Sequence, residues 1–239
     1  MERQTTVTKA RSASLHIEHL DAIVFDLDGL IVDTESVVQN VWRSIFEWHD
    51  CSFTEEEWSH AVGGEGDFRP LEALNERSRV PVVGVADLLQ NIKLQIEVRL
   101  EGIAPLPGVV SWMEEARQLG VRVGVASNSP REWVEARLNQ VGVRQLIDTV
   151  SCRDESERAK PAPDIYLKAC FRLGTAPHRS VAVEDSRTGV AAAKSAGLRC
   201  IAVPNRLTRH HDLSAADLIV NSLASVDFVE AIERIDREC

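Results

Sequence analysis

Five short runs rich in valine, isoleucine and alanine recur along the chain, at residues 22–27 (AIVFDL), 121–126 (VRVGVA), 180–183 (SVAV), 199–203 (RCIAV) and 218–220 (LIV). All but 121–126 are apolar at consecutive rather than strictly alternate positions, and turn residues bound them. A strand that is apolar on both faces must be covered on both, which is the situation of a parallel sheet layered between helices. Helical patterns fill the intervals. One spans 109–118, with Gly120 as its stop. A second opens at Ser129-Pro130-Arg131-Glu132, where Ser129 is expected to cap and Glu132 to complete a capping box. A third follows Pro163, and a fourth follows Ser186 and ends near Gly197. Strand–helix alternation of this kind predicts an α/β fold, a doubly wound parallel sheet of Rossmann-like type.

The rhythm breaks once. From Thr34 to Ala104 lie about seventy residues, far more than an ordinary crossover between strands needs. Val38, Val41, Trp42, Ile45 and Trp48 recur there at helical spacing, and Gly63-Gly64-Glu65-Gly66 forms a polar joint. We expect a small α-helical domain over 35–104, inserted into an α/β core made of 20–34 and 105–239, with 1–19 as a flexible N-terminal tail. Trp42 and Trp48 are expected in the core of the insert. No strand precedes the glycine cluster, so it reads as a loop bend and not as a dinucleotide site. Arg69 and Lys93 are expected at the surface, the alternative being contact with a distal anionic group of a substrate.

Composition limits the partners. The chain has 239 residues, 44% of them hydrophobic and 27% charged, with a formal net charge of −10. A chain of this length can hold a core without a disulfide or metal staple. The acidic balance argues against nucleic-acid or anionic-membrane partners, so an anionic substrate must be attracted by a local site. No apolar run reaches the roughly 18 residues of a membrane span. Residues 1–19 lack the apolar centre of a secretory signal, and Glu2 and Glu18 argue against a transit peptide. The five cysteines form no CxxC pair and the seven histidines show no ligand spacing, which fits a reducing, cytoplasmic compartment.

Ligands of open α/β sheets bind beyond the carboxyl ends of the strands. The first run delivers Asp26-Leu27-Asp28-Gly29 and then Asp33; the second delivers Ser127-Asn128-Ser129; the segment before the third helix delivers Lys160-Pro161; the 180–183 run delivers Glu184-Asp185-Ser186. Asp26 and Asp28, two apart on extended chain, start on one face. Carboxylates so close repel unless they share a cation or a proton. Hard oxygen ligands in a cluster suit Mg²⁺. Each acid taken singly also fits a helix cap or a solvated loop end, and Asp33 reads equally as a loop-positioning or a capping residue.

Asp26-Leu27-Asp28-Gly29-Leu30-Ile31-Val32-Asp33 resembles the first motif of the haloacid-dehalogenase-like phosphohydrolase superfamily. Ser127 is similar to its second motif, Lys160 to its third and Glu184-Asp185 to its fourth. All four stand in the family's order, and the insert resembles the small helical cap of the β-phosphoglucomutase and sugar-phosphate phosphatase branch. The resemblance implies Asp26 as nucleophile and Asp28 as general acid/base. It implies Mg²⁺ held by Asp26, the backbone carbonyl of Asp28 and Asp185, with Glu184 as a further ligand that acts directly or from behind the ones that touch the ion, and phosphate binding by Ser127, Asn128 and Lys160. The expected activity is Mg²⁺-dependent hydrolysis of a small phosphorylated metabolite, such as a sugar phosphate, through an aspartyl-phosphate. Dehalogenation does not need the second acid that Asp28 supplies. A phosphomutase and a non-catalytic binding protein on the same fold are the alternatives. Phosphomutases of this branch carry a His twelve residues after the nucleophile; here Val38 stands there, and it can neither donate a hydrogen bond nor take a proton.

Overall fold

The computed structural model describes residue 17, residues 19–61 and residues 68–237. Its centre is a six-stranded sheet, parallel at every pairing, in the order β3-β2-β1-β4-β5-β6. The strands are β1 (Ala22–Phe25), β2 (Arg122–Ser127), β3 (Thr149–Cys152), β4 (Ser180–Glu184), β5 (Arg199–Ala202) and β6 (Leu218–Ile219). The chain builds outward from β1 to β3, then returns to place β4 on the other side of β1. That reversal opens a crevice at the carboxyl ends of β1 and β4, where doubly wound sheets bind ligands.

The two faces of the sheet carry different residues, because side chains alternate along a strand. Ile23, Phe25, Val123, Val125, Val181, Val183 and Ile201 pack on one face with Val109, Trp112, Phe228 and Ile232. These last residues come from α5 (Val109–Gln118) and α9 (Phe228–Arg237). The other face offers small residues, Ala22, Ala126, Ala182 and Ala202, to α7 (Asp164–Leu173) and α8 (Arg187–Ser195). These helices can sit close: a Cβ at Gly124 would lie 3.1 Å from Leu173 Cδ1. The second face also carries Val24 and Cys200, so it is the smaller-residue side but not one of alanine alone.

One strand was not expected. β3 is four residues long, Thr149-Val150-Ser151-Cys152, and has no apolar run to mark it. It is an edge strand. Arg131 and Arg172 each donate to Val150 O, at 2.7 Å, and satisfy an edge carbonyl that propensity would leave open. Ser129 is a correction of another kind. The N-cap of α6 (Arg131–Gln140) is Pro130, with no side-chain cap bond; Ser129 Oγ donates instead to Asp28 Oδ2 at 2.7 Å. Ser186 does cap α8, accepting from Gly189 N, and Gly120 follows α5 at φ +78°.

Between β1 and α5 the chain forms α1 (Thr34–Trp48), α2 (Glu55–Ser59), α3 (Pro70–Arg77) and α4 (Val85–Leu100). Asp33 caps α1 by accepting from Ser36 N. These helices hold a cluster of their own that includes Val41, Trp42, Phe46, Phe53, Trp58 and Leu74. Trp42 is in it, whereas Trp48 is 77% exposed, contrary to its expected place, because it falls on the outer face of α1. The glycine cluster 63–66 lies outside the described residues. The loop after β5 ties this region to the sheet. Leu207 is buried in the helical cluster, and Arg206 donates to Glu55 Oε2 at 2.9 Å and Gln39 Oε1 at 2.6 Å. Of the expected tail, residues 1–16 and 18 lie outside the described residues. Ile17 is buried in the main core, so it is not tail, and His19 pairs with Asp236.

Candidate active site

β1 delivers its acids through a tight loop. Asp26 N still donates to Val183 O of β4, and then Leu30, Ile31 and Val32 N all donate back to Leu27 O. Gly29 takes φ +88°, and a Cβ there would lie 2.7 Å from Asp185 Oδ2 and 2.8 Å from Asn205 Nδ2. Only glycine allows the first loop to press so closely on the acid that follows β4.

The structure brings Asp26, Lys160, Glu184 and Asp185 together, all buried. Lys160 Nζ donates to Asp26 Oδ1, to Glu184 Oε1 at 2.6 Å and to Ala126 O at 2.8 Å. Tyr166 OH donates to Glu184 Oε1 at 2.6 Å. Asn205 Nδ2 donates to Asp185 Oδ2 at 2.7 Å and to Gly29 O at 3.0 Å. Gly189 makes room for Glu184: its Cβ would fall 1.9 Å from Oε2. Burial and the neighbouring carboxylates Glu184 and Asp28 push Asp26 up to about 8, against the opposing pull of Lys160. Burial, with Asp26 and Glu184 nearby, holds Asp185 well above the usual carboxylate range. Burial opposes the charge on Lys160, but Asp26 and Glu184 outweigh it and raise its pKa.

Asp28 is turned to a separate set of donors. Thr34 Oγ1 (2.7 Å) and Trp133 Nε1 (2.9 Å) donate to Oδ1; Ser129 Oγ (2.7 Å) and Ser127 Oγ (3.2 Å) donate to Oδ2. Asn128 braces the lysine loop: its Oδ1 accepts from Lys160 N at 2.8 Å and its Nδ2 donates to Lys160 O at 3.3 Å. All seven residues singled out from the sequence, Asp26, Asp28, Ser127, Asn128, Lys160, Glu184 and Asp185, thus stand at one end of the sheet. Thr34, Ser129, Trp133, Tyr166 and Asn205 join them without having been singled out for the chemistry. Each is of a type more often used for caps, turns or core packing, and only the fold brings it here.

Ligand atoms of Asp26, Glu184 and Asp185 lie within 4.8 Å of one another. Three buried carboxylates beside one ammonium would, with all of them ionised, leave two negative charges uncompensated, and burying such charge is costly. The oxygen-only donor set and the raised Asp26 and Asp185 both fit a divalent cation. The cavity over these groups has a volume of about 380 Å³. Its sheet side presents Asp26, Asp28, Ser127 and Lys160, and its helical side Val38, Trp42, Trp58, Phe68 and Arg69. Arg69 therefore belongs to the cavity wall, whereas Lys93 is an exposed residue of α4. His49, the nearest histidine to position 38, is buried against Ser78 Oγ at 3.0 Å.

Known proteins resemble the chain over most of its length. Residues 23–203 match the sequence model of the haloacid dehalogenase-like hydrolases. YhcW of Bacillus subtilis (strain 168), named a candidate phosphatase, is 32% identical over 92% of this chain and 99% of its own. The crystal structure of CbbY from Rhodobacter sphaeroides in complex with phosphate superposes with a TM-score of 0.69, at 31% identity over 86% of this chain and 95% of that one. Fructose-1-phosphate phosphatase YqaB of Escherichia coli (strain K12) is 28% identical over 78% of this chain and 97% of its own. The chain belongs to the haloacid dehalogenase-like hydrolase family, in its branch of β-phosphoglucomutase-like proteins and sugar-phosphate phosphatases, and is an enzyme of phosphatase type.

Proposed function

We propose that the chain is a Mg²⁺-dependent phosphohydrolase that releases phosphate from a small phosphorylated metabolite, of the sugar-phosphate class, through an aspartyl-phosphate on Asp26. The observation that carries this reading is the buried Asp26, paired to Lys160 in a carboxylate cluster at the floor of a cavity where Asp28 also stands. Asp26, Glu184, Asp185 and the backbone carbonyl of Asp28 would hold the Mg²⁺. When bound, the ion supplies the positive charge that lets a phosphate dianion approach these acids.

A carboxylate oxygen of Asp26 attacks phosphorus, and the bond from phosphorus to the leaving oxygen breaks. Asp28 gives its proton to that oxygen, then takes one from the water that attacks the phosphorus of the intermediate and frees Asp26. Lys160 keeps Asp26 placed and offsets its charge. Ser127 and the backbone at Asn128 receive phosphoryl oxygens. Residues 35–104 act as a cap whose aromatic wall and Arg69 meet the rest of the substrate. The relatives named for phosphorylated carbohydrates support that substrate class. The free Cys51, Cys152, Cys170 and Cys200 accord with a reducing, cytoplasmic setting, and no helix among the described residues is long and apolar enough to cross a membrane.

Val38 on the cavity wall favours water over a sugar as phosphoryl acceptor. The test is a panel of phosphorylated metabolites assayed with Mg²⁺ for inorganic phosphate, with β-glucose 1-phosphate plus a bisphosphate primer in a parallel arm. The reading predicts phosphate release, lost in a folded Asp26→Asn protein. Glucose 6-phosphate forming faster than phosphate would make the chain a mutase, and no turnover in either arm would leave it a binding protein.

A further inference from the structure

The four donors to Asp28 are not equivalent. Thr34, Ser127 and Ser129 contribute hydroxyls, which turn from donor to acceptor as their partner changes. The indole N–H of Trp133 only donates. Oδ1, which receives Trp133 Nε1 at 2.9 Å, must therefore stay an acceptor on that side whatever Asp28 does. Among the described residues Oδ2 receives only the hydroxyls of Ser127 and Ser129, and both of these line the cavity.

Trp133 is itself held in place. It sits half-buried in the first turn of α6. The Arg137 guanidinium lies 4.6 Å over its ring centroid, and the buried Arg137 is paired to Glu97 of α4 at 2.6 Å. Turning the indole away from Asp28 would break the cation–π contact on a ring that is clamped from the helical region. Plain packing accounts for a half-buried tryptophan, but it does not require the N–H to end on a carboxylate in the cavity.

We propose that Trp133 is a positioning residue for the acid–base chemistry of Asp28. By reserving Oδ1 as an acceptor, it leaves Oδ2 as the oxygen that passes a proton to the leaving group and later receives one from water. This inference rests on the reading of Asp28 as the general acid/base, and the experiment separates the two.

Trp133→Phe keeps a ring beneath Arg137 and removes the N–H. kcat/KM is measured with Mg²⁺ for phenyl phosphate and 4-nitrophenyl phosphate, which are close in size but differ in how much their leaving oxygen needs a proton. Asp28→Asn is run beside it. The ratio of the two values on one preparation does not depend on the active fraction. The expected result is a loss of about tenfold on phenyl phosphate and less than about threefold on 4-nitrophenyl phosphate, a shift in the same direction as that of Asp28→Asn but smaller. If the ratio moves in Asp28→Asn but not in Trp133→Phe, the positioning role is overturned and the acid–base reading stands. An equal loss on both substrates with a lowered thermal midpoint makes Trp133 a packing residue and also overturns the role. If the ratio does not move in Asp28→Asn, the acid–base reading falls, and this inference falls with it.

Discussion

The two walls of the cavity are built on opposite principles. On the sheet side each charged or polar group is held by several partners: Lys160 by three, Asp28 by four, Asp185 by Asn205 and by the close approach of Gly29. On the helical side the wall is mostly apolar. Among the described residues Arg69 has no ion-pair partner, and the buried Trp58 Nε1 has no hydrogen-bond acceptor. A group held by many partners is preorganised, and preorganisation matters most where charge develops in a transition state. Donors left without partners are suited to a ligand that brings its own acceptors. The contrast assigns chemistry to the sheet side and selection to the helical side.

The largest effect that could break this contrast is metal removal. Exhaustive chelation should abolish turnover and Mg²⁺ should restore it, followed as phosphate release with metal content verified; full activity of the metal-free protein would leave the carboxylate cluster without its assigned purpose. Asp28→Asn comes next. It should lower kcat by about 10²–10⁴-fold with a smaller change in KM, and a variant altered only in KM would move Asp28 from chemistry to binding. Arg69→Gln should show the opposite pattern, KM raised by about three- to tenfold with kcat nearly kept, as expected when uniform binding is lost. A kcat collapse there would erase the division between the walls.

The smallest effect is on stability. Asp26 ordinarily titrates near 3.8 but holds its proton to about 8 in the folded chain. Between those values the folded state binds more protons than the unfolded one, so stability falls as pH rises. Without metal the thermal midpoint should therefore decline across that window. Stabilisation by Mg²⁺ should grow over the same range as the carboxylates become free to bind it. A midpoint of the metal-free protein that rises steadily from pH 4 to pH 8 would contradict the raised carboxylates.

Much of the sheet side was legible in the sequence, because strand ends concentrate Asp26, Asp28, Ser127, Glu184 and Asp185 into short motifs, Lys160 stands in a Lys-Pro segment just before a helix, and α/β topology dictates where such ends meet. β3 was not legible: Thr149 to Cys152 is an edge strand supported by Arg131 and Arg172 from neighbouring elements and not by an apolar run of its own. Ser129 misled because Ser-Pro-x-Glu is a capping pattern, and a carboxylate from β1 competes for its hydroxyl. Trp133 and Asn205 carry no local signal, since their partners lie 105 and 20 residues away. Trp42 and Trp48 share one helical pattern, yet one is buried and the other exposed. The stripe identified the helix but not how wide its buried face would be.

The central claim is that Asp26 carries the phosphoryl group. Enzyme with Mg²⁺ and a turned-over substrate is quenched in acid within a single turnover, and the acyl phosphate is reduced with borohydride and located by peptide mass spectrometry. The account predicts homoserine at position 26, absent when substrate is withheld and absent in Asp26→Asn. Full single-turnover phosphate release with position 26 recovered only as aspartate, and with Asp26→Asn as active as the parent chain, would contradict it.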